Sequence, residues 1–323
     1  MIYEYDINYI NTIFKNKKRI FSHELVKVLL YFDIFHYPLT VKEIKRFCGT
    51  PATIDEVEYE LGFLGRLGYI QQKGMFYSTS PNDMPFMVDR RKTGNIKALR
   101  MLRKANRYSK LISYFPFVRG IYLSGSLSKG YADEKSDVDY FIITEPGRLW
   151  LCRMLLALFK KIFLLNSHKY FCINYFIDTE NLEIPDKNIF TAIELTTLIT
   201  TCNSALYRNL MQANIWVKDF FPNTLLESIS GESIPSNESW IKRFMEKIFY
   251  GRIGDRLDDV CYEITFAKWK RKFRQFSRDE FELNLRSKKN VSKHHPRGFQ
   301  AKVLSQYNEK VKEFEQRFQI NLS

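Results

Sequence analysis

The run Leu123-Ser-Gly-Ser-Leu-Ser-Lys-Gly-Tyr-Ala-Asp-Glu-Lys-Ser-Asp-Val-Asp-Tyr-Phe-Ile-Ile143 holds the side chains best spaced for chemistry. Asp137 and Asp139 stand two apart at the start of an apolar stretch. A strand points alternate side chains to one face, so the two carboxylates would share a face and repel each other unless a cation lies between them. Mg²⁺ suits that position, because it takes one or two carboxylates and fills its shell with water and phosphate oxygens. Upstream, Gly125 lets backbone N–H groups approach a phosphate closely, and the Ser126 hydroxyl adds a donor. Lys129 is placed either to neutralise phosphate charge or simply to be solvated in a polar turn. Phosphate donors beside paired acids predict a metal-bound nucleotide.

These residues need strands to hold them. Val118 to Leu123 and Val138 to Thr144 predict two strands around the Ser124-Gly125-Ser126 turn. A helix from Gly147 to about Asn166 and a third strand, Tyr170 to Ile177, complete a small α/β unit, which we place at 85–186. The spacing is similar to the signature of the DNA polymerase β-like nucleotidyltransferase superfamily: a hydrophobic strand, Gly-Ser, about ten residues, then Asp-x-Asp between apolar residues. Gly130 and Ser136 also stand where small nucleotidyltransferases often place such residues. The resemblance covers roughly 118–178. It implies that Gly125 and Ser126, with Lys129 and Ser136, hold an NTP, with ATP the expected substrate. It also implies that Asp137 and Asp139 are catalytic and ligate Mg²⁺ for transfer of a nucleoside monophosphate to a hydroxyl or amine.

One position departs from the pattern. Active members usually carry a third carboxylate on the neighbouring strand, and Cys172-Ile-Asn-Tyr-Phe-Ile177 puts Asn174 there. Asparagine can offer a carbonyl oxygen to a metal but brings no charge and cannot act as a general base. Three outcomes stay open: two acids suffice, the base comes from elsewhere (Asp178 is one candidate, a turn or cap residue the alternative), or the site binds nucleotide without turnover.

Before this unit, the order of elements from Phe21 to Ser78 predicts a winged helix-turn-helix over 1–84. Its third helix, Ile54 to Leu67, carries Asp55, Glu56, Glu58 and Glu60 against Arg66. That sign disfavours duplex DNA. After it, 187–323 is expected to be a C-terminal helical region. One long stripe runs from Ile189 to Leu210, a polar loop spans Ser228 to Ser239, and further helices start near Trp240 and Phe299. The expected fold class is α+β: a small mixed sheet with an N-terminal winged helix and a C-terminal helical region.

Fifty basic against thirty-six acidic residues give +14, which favours polyanionic partners. The excess is concentrated: 90–110 holds nine Lys or Arg and no acid, and 264–302 holds twelve against three acids. The alternation of Lys268, Lys270, Arg271, Lys272 and Arg274 with Trp269, Phe273 and Phe276 suits stacked single-stranded RNA or tRNA, although aromatics at helical spacing are more often core. The stretch Ser287 to Arg297 predicts a phosphate-contacting loop. His294 and His295 are adjacent and lack an acid at ligand spacing, so no zinc site is indicated.

At 323 residues with 45% hydrophobic side chains, the chain can bury a core, which excludes a disordered scaffold. No apolar run reaches 18 residues, since Arg153, Lys160 and Lys161 break the longest, and the first ten residues carry acids. No membrane association and a cytoplasmic location are expected. The five cysteines show no CxxC spacing and are expected to be reduced. The combined expectation is an Mg²⁺-dependent nucleotidyltransferase. The rivals are a nucleotide-binding adaptor that has lost turnover at Asn174 and a winged-helix transcription regulator.

Overall fold

A computed structural model describes residues 7–80, 83–165, 167, 169–224, 229–234 and 239–322, with backbone alone for 7–19 and 229–234. Helix α1 (Ile7–Asp33) is followed by α2 (Val41–Phe47) and α3 (Ile54–Arg66). Thr40 and Thr53 start the latter two with capping boxes: each hydroxyl accepts from the N–H of Glu43 or Glu56, whose carboxylate accepts from the cap N–H in return. Strands β1 (Gln71–Lys73) and β2 (Phe76–Ser78) form an antiparallel ribbon. Buried Asp33 fixes that ribbon by accepting from Ser78 Oγ at 2.7 Å and Thr79 N at 2.9 Å. On α3 the acids Asp55, Glu56 and Glu58 are exposed, whereas Glu60 is buried and accepts from the Ser22 hydroxyl.

Helix α4 (Met84–Ser113) turns Ala98, Met101, Ala105 and Ile112 inward and leaves Arg100, Arg103, Lys104, Arg107 and Lys110 exposed, a basic amphipathic face. Strand β3 (Val118–Ser124), the one-turn helix α5 (Gly125–Ser128), β4 (Asp139–Thr144), α6 (Leu149–Phe163) and β5 (Cys172–Asp178) follow. Asn166, where α6 was expected to end, lies outside the described residues.

The long helical stripe expected from Ile189 to Leu210 is instead α7 (Ile189–Thr196), β6 (Ile199–Cys202) and α8 (Ser204–Ala213). Thr196, Thr197, Ile199, Thr200 and Thr201 are β-branched, and branching at Cβ disfavours helix while it suits a packed strand. Asn203, at φ +63°, then caps α8 by accepting from Leu206 N at 3.0 Å. Next come α9 (Val217–Phe220) and β7 (Ile229–Ile234). The latter lies inside the stretch expected as a polar loop, of which 228 and 235–238 are outside the described residues. The chain continues with α10 (Trp240–Ile248), α11 (Gly251–Lys272), α12 (Arg278–Leu285), β8 (Ser287–Lys288), β9 (Val291–Lys293) and α13 (Phe299–Phe318). The expected phosphate-contacting loop is thus a short antiparallel hairpin, β8–β9.

The fold is α+β. Among the described residues, seven strands form one mixed sheet in the order β7-β6-β3-β4-β5-β9-β8. The pairs β4–β5 and β6–β7 are parallel and the others antiparallel. Its core joins Ile121, Leu123, Tyr140, Ile142 and Phe176 to Trp150, Leu156 and Trp269 from the helices. The chain divides into two compact units: residues 1–93, 216–225 and 300–323, and residues 94–215 with 226–299. The stretch 187–323 is therefore divided between the units. In the first unit, α13 sets Phe314 and Phe318 against Tyr69, with ring centroids 5.8 and 4.6 Å away. No described helix is long and apolar enough to cross a membrane.

Candidate active site

The acids stand where β4 begins. Asp139 opens the strand and pairs in register with Ser124 of β3 and Cys172 of β5. Donor atoms of Asp137, Asp139 and Cys172 lie within 4.8 Å of one another. Between Tyr140 and Phe141 the β4–β5 register shifts: Tyr140 faces Ile173 and Phe141 faces Tyr175, which leaves Asn174 as an extra residue. Such a bulge re-aims a side chain. Asn174 Nδ2 donates to Asp139 Oδ1 at 2.5 Å, and the Cys172 thiol donates to Asn174 Oδ1 at 3.2 Å. The bulge is held from the far side, because His294 N, just past β9, donates to Asn174 O at 2.9 Å.

Gly125 begins α5 at φ +70°, a left-handed conformation open to glycine. A Cβ at that position would run into Asp139 Oδ2, so glycine also makes room for the acid. Its N–H donates to Glu194 Oε2 at 3.2 Å, and Lys129 Nζ donates to Glu194 Oε1 at 2.7 Å and to Gly125 O at 3.0 Å. Glu194, on α7, thereby joins the cluster. Ser126 is exposed beside Gly125. Ser136 is used differently: its hydroxyl accepts from Asp133 N at 2.8 Å and donates to Asp133 Oδ1 at 3.0 Å, which shapes the loop leading to Asp137. Asp178 sits at the opposite end of β5, buried, where it accepts from Glu180 N at 3.1 Å and Asn181 Nδ2 at 2.8 Å. It is a turn residue far along the strand from the acids.

The electrostatics are those of crowded negative charge. Burial first, then Asp137 and Glu194, push Asp139 up from 3.8 to about 7, against hydrogen bonding by Cys172 and the charge of Lys129. Burial, followed by Asp139 and Asp137, also drives the Cys172 thiol upward. A thiol kept protonated is a poor metal ligand, whereas paired carboxylates that resist ionising together suit a hard cation. The donor set therefore fits a hard divalent cation such as Mg²⁺ through Asp137 and Asp139, whereas Asn174 turns its amide nitrogen to Asp139 and its oxygen to the Cys172 thiol.

Sequence reasoning brought together Asp137, Asp139, Gly125, Lys129 and Asn174 but missed Glu194 and Cys172. The signal for Glu194 was the β-branched run after it, which ends α7 and sends β6 alongside β3. The side chains of His294 and His295 are not among the ligand atoms gathered with Asp137 and Asp139; burial, then Lys293, lowers His295 to about 4, so its ring is neutral.

A search of curated proteins and of solved structures finds no match to the chain. Residues 106–199 match the family model described as a nucleotidyltransferase domain. That span begins inside α4, contains β3, Gly125, both acids and Asn174, and ends in β6 just past Glu194; this part of the chain is similar to a nucleotidyltransferase domain, consistent with the polymerase β-like resemblance of its motif.

Proposed function

We propose that this domain transfers a nucleoside monophosphate from an NTP, with ATP as the expected donor, to a hydroxyl or amine acceptor, with Mg²⁺ at Asp137 and Asp139. The observation that carries the reading is the close approach of the Gly125 turn, at positive φ, to the Asp139 carboxylate, where an added Cβ would collide with Oδ2. In transfer, the acceptor oxygen or nitrogen bonds to the α-phosphorus, and the α–β phosphoanhydride bond breaks. Pyrophosphate leaves with the electron pair, and the acceptor proton goes to water. When bound, Mg²⁺ would stabilise the charge developing on the phosphates. The chain's own contribution is positional: Gly125 N–H, Ser126 and Lys129 bind phosphate oxygens, and the start of β4 with the loop just before it holds both acids close together. The acceptor is a small molecule, RNA or tRNA, or a protein, and the basic segments 90–110 and 264–302 support RNA or tRNA. Duplex DNA is not expected on α3, whose exposed charge is acidic. The setting is cytoplasmic. The test is incubation with each labelled NTP and Mg²⁺, with and without total tRNA, followed by detection of pyrophosphate and labelled product.

Glu194 holds donors that a phosphate would need. We expect Glu194→Gln to tighten NTP binding roughly three- to tenfold, as charge-assisted bonds to Gly125 N–H and Lys129 are weakened in the free protein. Isothermal titration calorimetry reads this directly. Unchanged or weaker binding would mean that Glu194 and phosphate do not compete.

A second reading, a nucleotide-binding adaptor without turnover, is favoured by one observation: an amide, not a carboxylate, faces Asp139 at the bulge. Asn174→Asp separates the two readings. Without cation, a further acid against Asp139 should lower the thermal midpoint; with Mg²⁺, cation affinity should rise. Transfer equal to or above that of the parent supports the enzyme. Activity that appears only in the variant supports the adaptor.

A further inference from the structure

The basic stretch 264–302 contains a cavity of about 910 Å³ between α11, α12 and β8. Its walls carry Phe266, Phe273, Phe276 and Phe281, with Lys270 and Arg274 among them. Phe273 and Phe276 are nearly parallel, with ring planes 19° apart and centroids at 5.5 Å. Lys270 Nζ lies 4.4 Å from the Phe266 ring centroid. Arg278 and Lys288 add charge against Asp279 and Glu282, so the lining is net positive.

Three partial occupants fail on chemistry. An acidic peptide would pair with the cations and leave the rings without flat partners. An apolar helix would fill the aromatic wall and strand the cations. A free inorganic anion would leave most of the volume empty. A base on an aromatic wall with its phosphates on the basic residues satisfies both features, and the volume is of the size that takes one or two nucleotides.

The position of the cavity says why such a ligand would bind there. The Phe273 ring, in its wall, lies 6.1 Å from the His294 ring. The backbone N–H of His294 holds Asn174 O at 2.9 Å, and the Asn174 side chain reaches Asp139. Two residues thus separate the cavity wall from the acids. We propose that this cavity binds a single-stranded polynucleotide and presents its end to the acids as the acceptor. The acceptor role rests on the nucleotidyl-transfer reading, whereas the binding does not.

The experiment uses the full-length chain without NTP or Mg²⁺, so that activity plays no part. Fluorescence anisotropy is measured with labelled twelve-residue oligo-rA, oligo-dA and the matching duplex. Single strands should bind at least about tenfold more tightly than the duplex. Phe276→Ala should weaken single-strand binding by roughly tenfold, one base stack. The pair Lys270→Ala with Arg274→Ala should reduce the log–log salt slope by roughly 1.4, for two phosphates released on a single strand. The charge pair keeps the test valid if Phe276→Ala fails to fold. A preference for oligo-rA would place a ribose hydroxyl in the cavity, and equal affinity would place base and phosphate alone there; either supports the proposal. Duplex bound as tightly as single strand, or single-strand affinity unmoved by the charge pair, would overturn it. Single-strand binding without any NTP transfer would sink the enzyme reading and leave the cavity intact; transfer to a small acceptor by a chain that binds no oligonucleotide would do the reverse.

Discussion

Asp139→Asn should abolish nucleotidyl transfer, by at least roughly 10³-fold, while making the cation-free protein more stable at neutral and alkaline pH. The activity loss follows from the loss of one of two carboxylates that fit Mg²⁺. The stability gain follows from the environment that burial, Asp137 and Glu194 create, in which Asp139 is raised from 3.8 to about 7. Between those values the folded protein holds a proton that the unfolded chain has already lost. The contribution of Asp139 to stability is therefore fully present at low pH and is lost as pH rises from about 4 to about 7. Asparagine has no such slope. Calorimetric midpoints of parent and variant should agree near pH 4 and diverge by pH 8, with the variant higher by up to a few kcal/mol in unfolding free energy. Added Mg²⁺ should raise the midpoint of the parent much more than that of the variant, because ligands stabilise only the state that binds them. A variant that loses fold and activity together, with no Mg²⁺-dependent shift in the parent, would make Asp139 a structural residue.

Gly125→Ala should be nearly as damaging to transfer and, unlike the first change, should destabilise the fold. Alanine at φ +70° costs on the order of 1–2 kcal/mol in backbone strain. Its methyl group would also collide with the Asp139 carboxylate, so the acid or the turn must shift. Displacement of a reacting group by about an ångström costs on the order of 10²-fold in rate. Single-turnover rates together with chemical denaturation would check both effects. An alanine variant with parental stability and rate would show that the turn has another conformation available. Asp139→Asn combined with Gly125→Ala should be less destabilised than Gly125→Ala alone if the charge on Asp139 is part of the collision's cost.

Much of the site was legible because its parts are local. Gly125, Ser126 and the two acids fall within fifteen residues, beside the adjoining ends of two strands that pair directly, so spacing alone carries their relation. Asn174 was legible one step further, by the alternation of a parallel neighbour. What alternation cannot show is a bulge: simple pleating predicts that Asn174 shares the face of Cys172, but only the shifted register aims its amide at Asp139. Glu194 was hidden by a period. Apolar residues from Ile189 to Leu210 fit a helix well enough to mask the four-residue strand inside, and with it the reason that α7 returns to the turn. Ser136 is a residue of suitable type whose hydroxyl is engaged within its own loop, a contact that spacing does not show. Trp269 and Phe273 are buried, as helical aromatics usually are, while Phe266, Phe276 and Phe281 remain partly open at the cavity.

The pairing of β5 with β9 bears on the order in which the protein can be made. As the chain leaves the ribosome, β3 and β4 are available together as neighbours, and β5 joins across the α6 crossover. The other edge of β5 must wait for Val291–Lys293, more than a hundred residues later. Throughout that interval Tyr175, Phe176 and Ile177 lack their β9 partners and leave an apolar edge, the kind of edge that templates association with other chains. Non-local pairings of this sort also slow folding, because loop closure must precede the contacts that reward it. The bulge that presents Asn174 is fixed by the N–H of His294, so a segment made well after β3, β4 and β5 sets the geometry at Asp139. A nascent chain would thus carry its acids before it can hold Asn174 against Asp139, because the strand that fixes the bulge is made more than a hundred residues after β5.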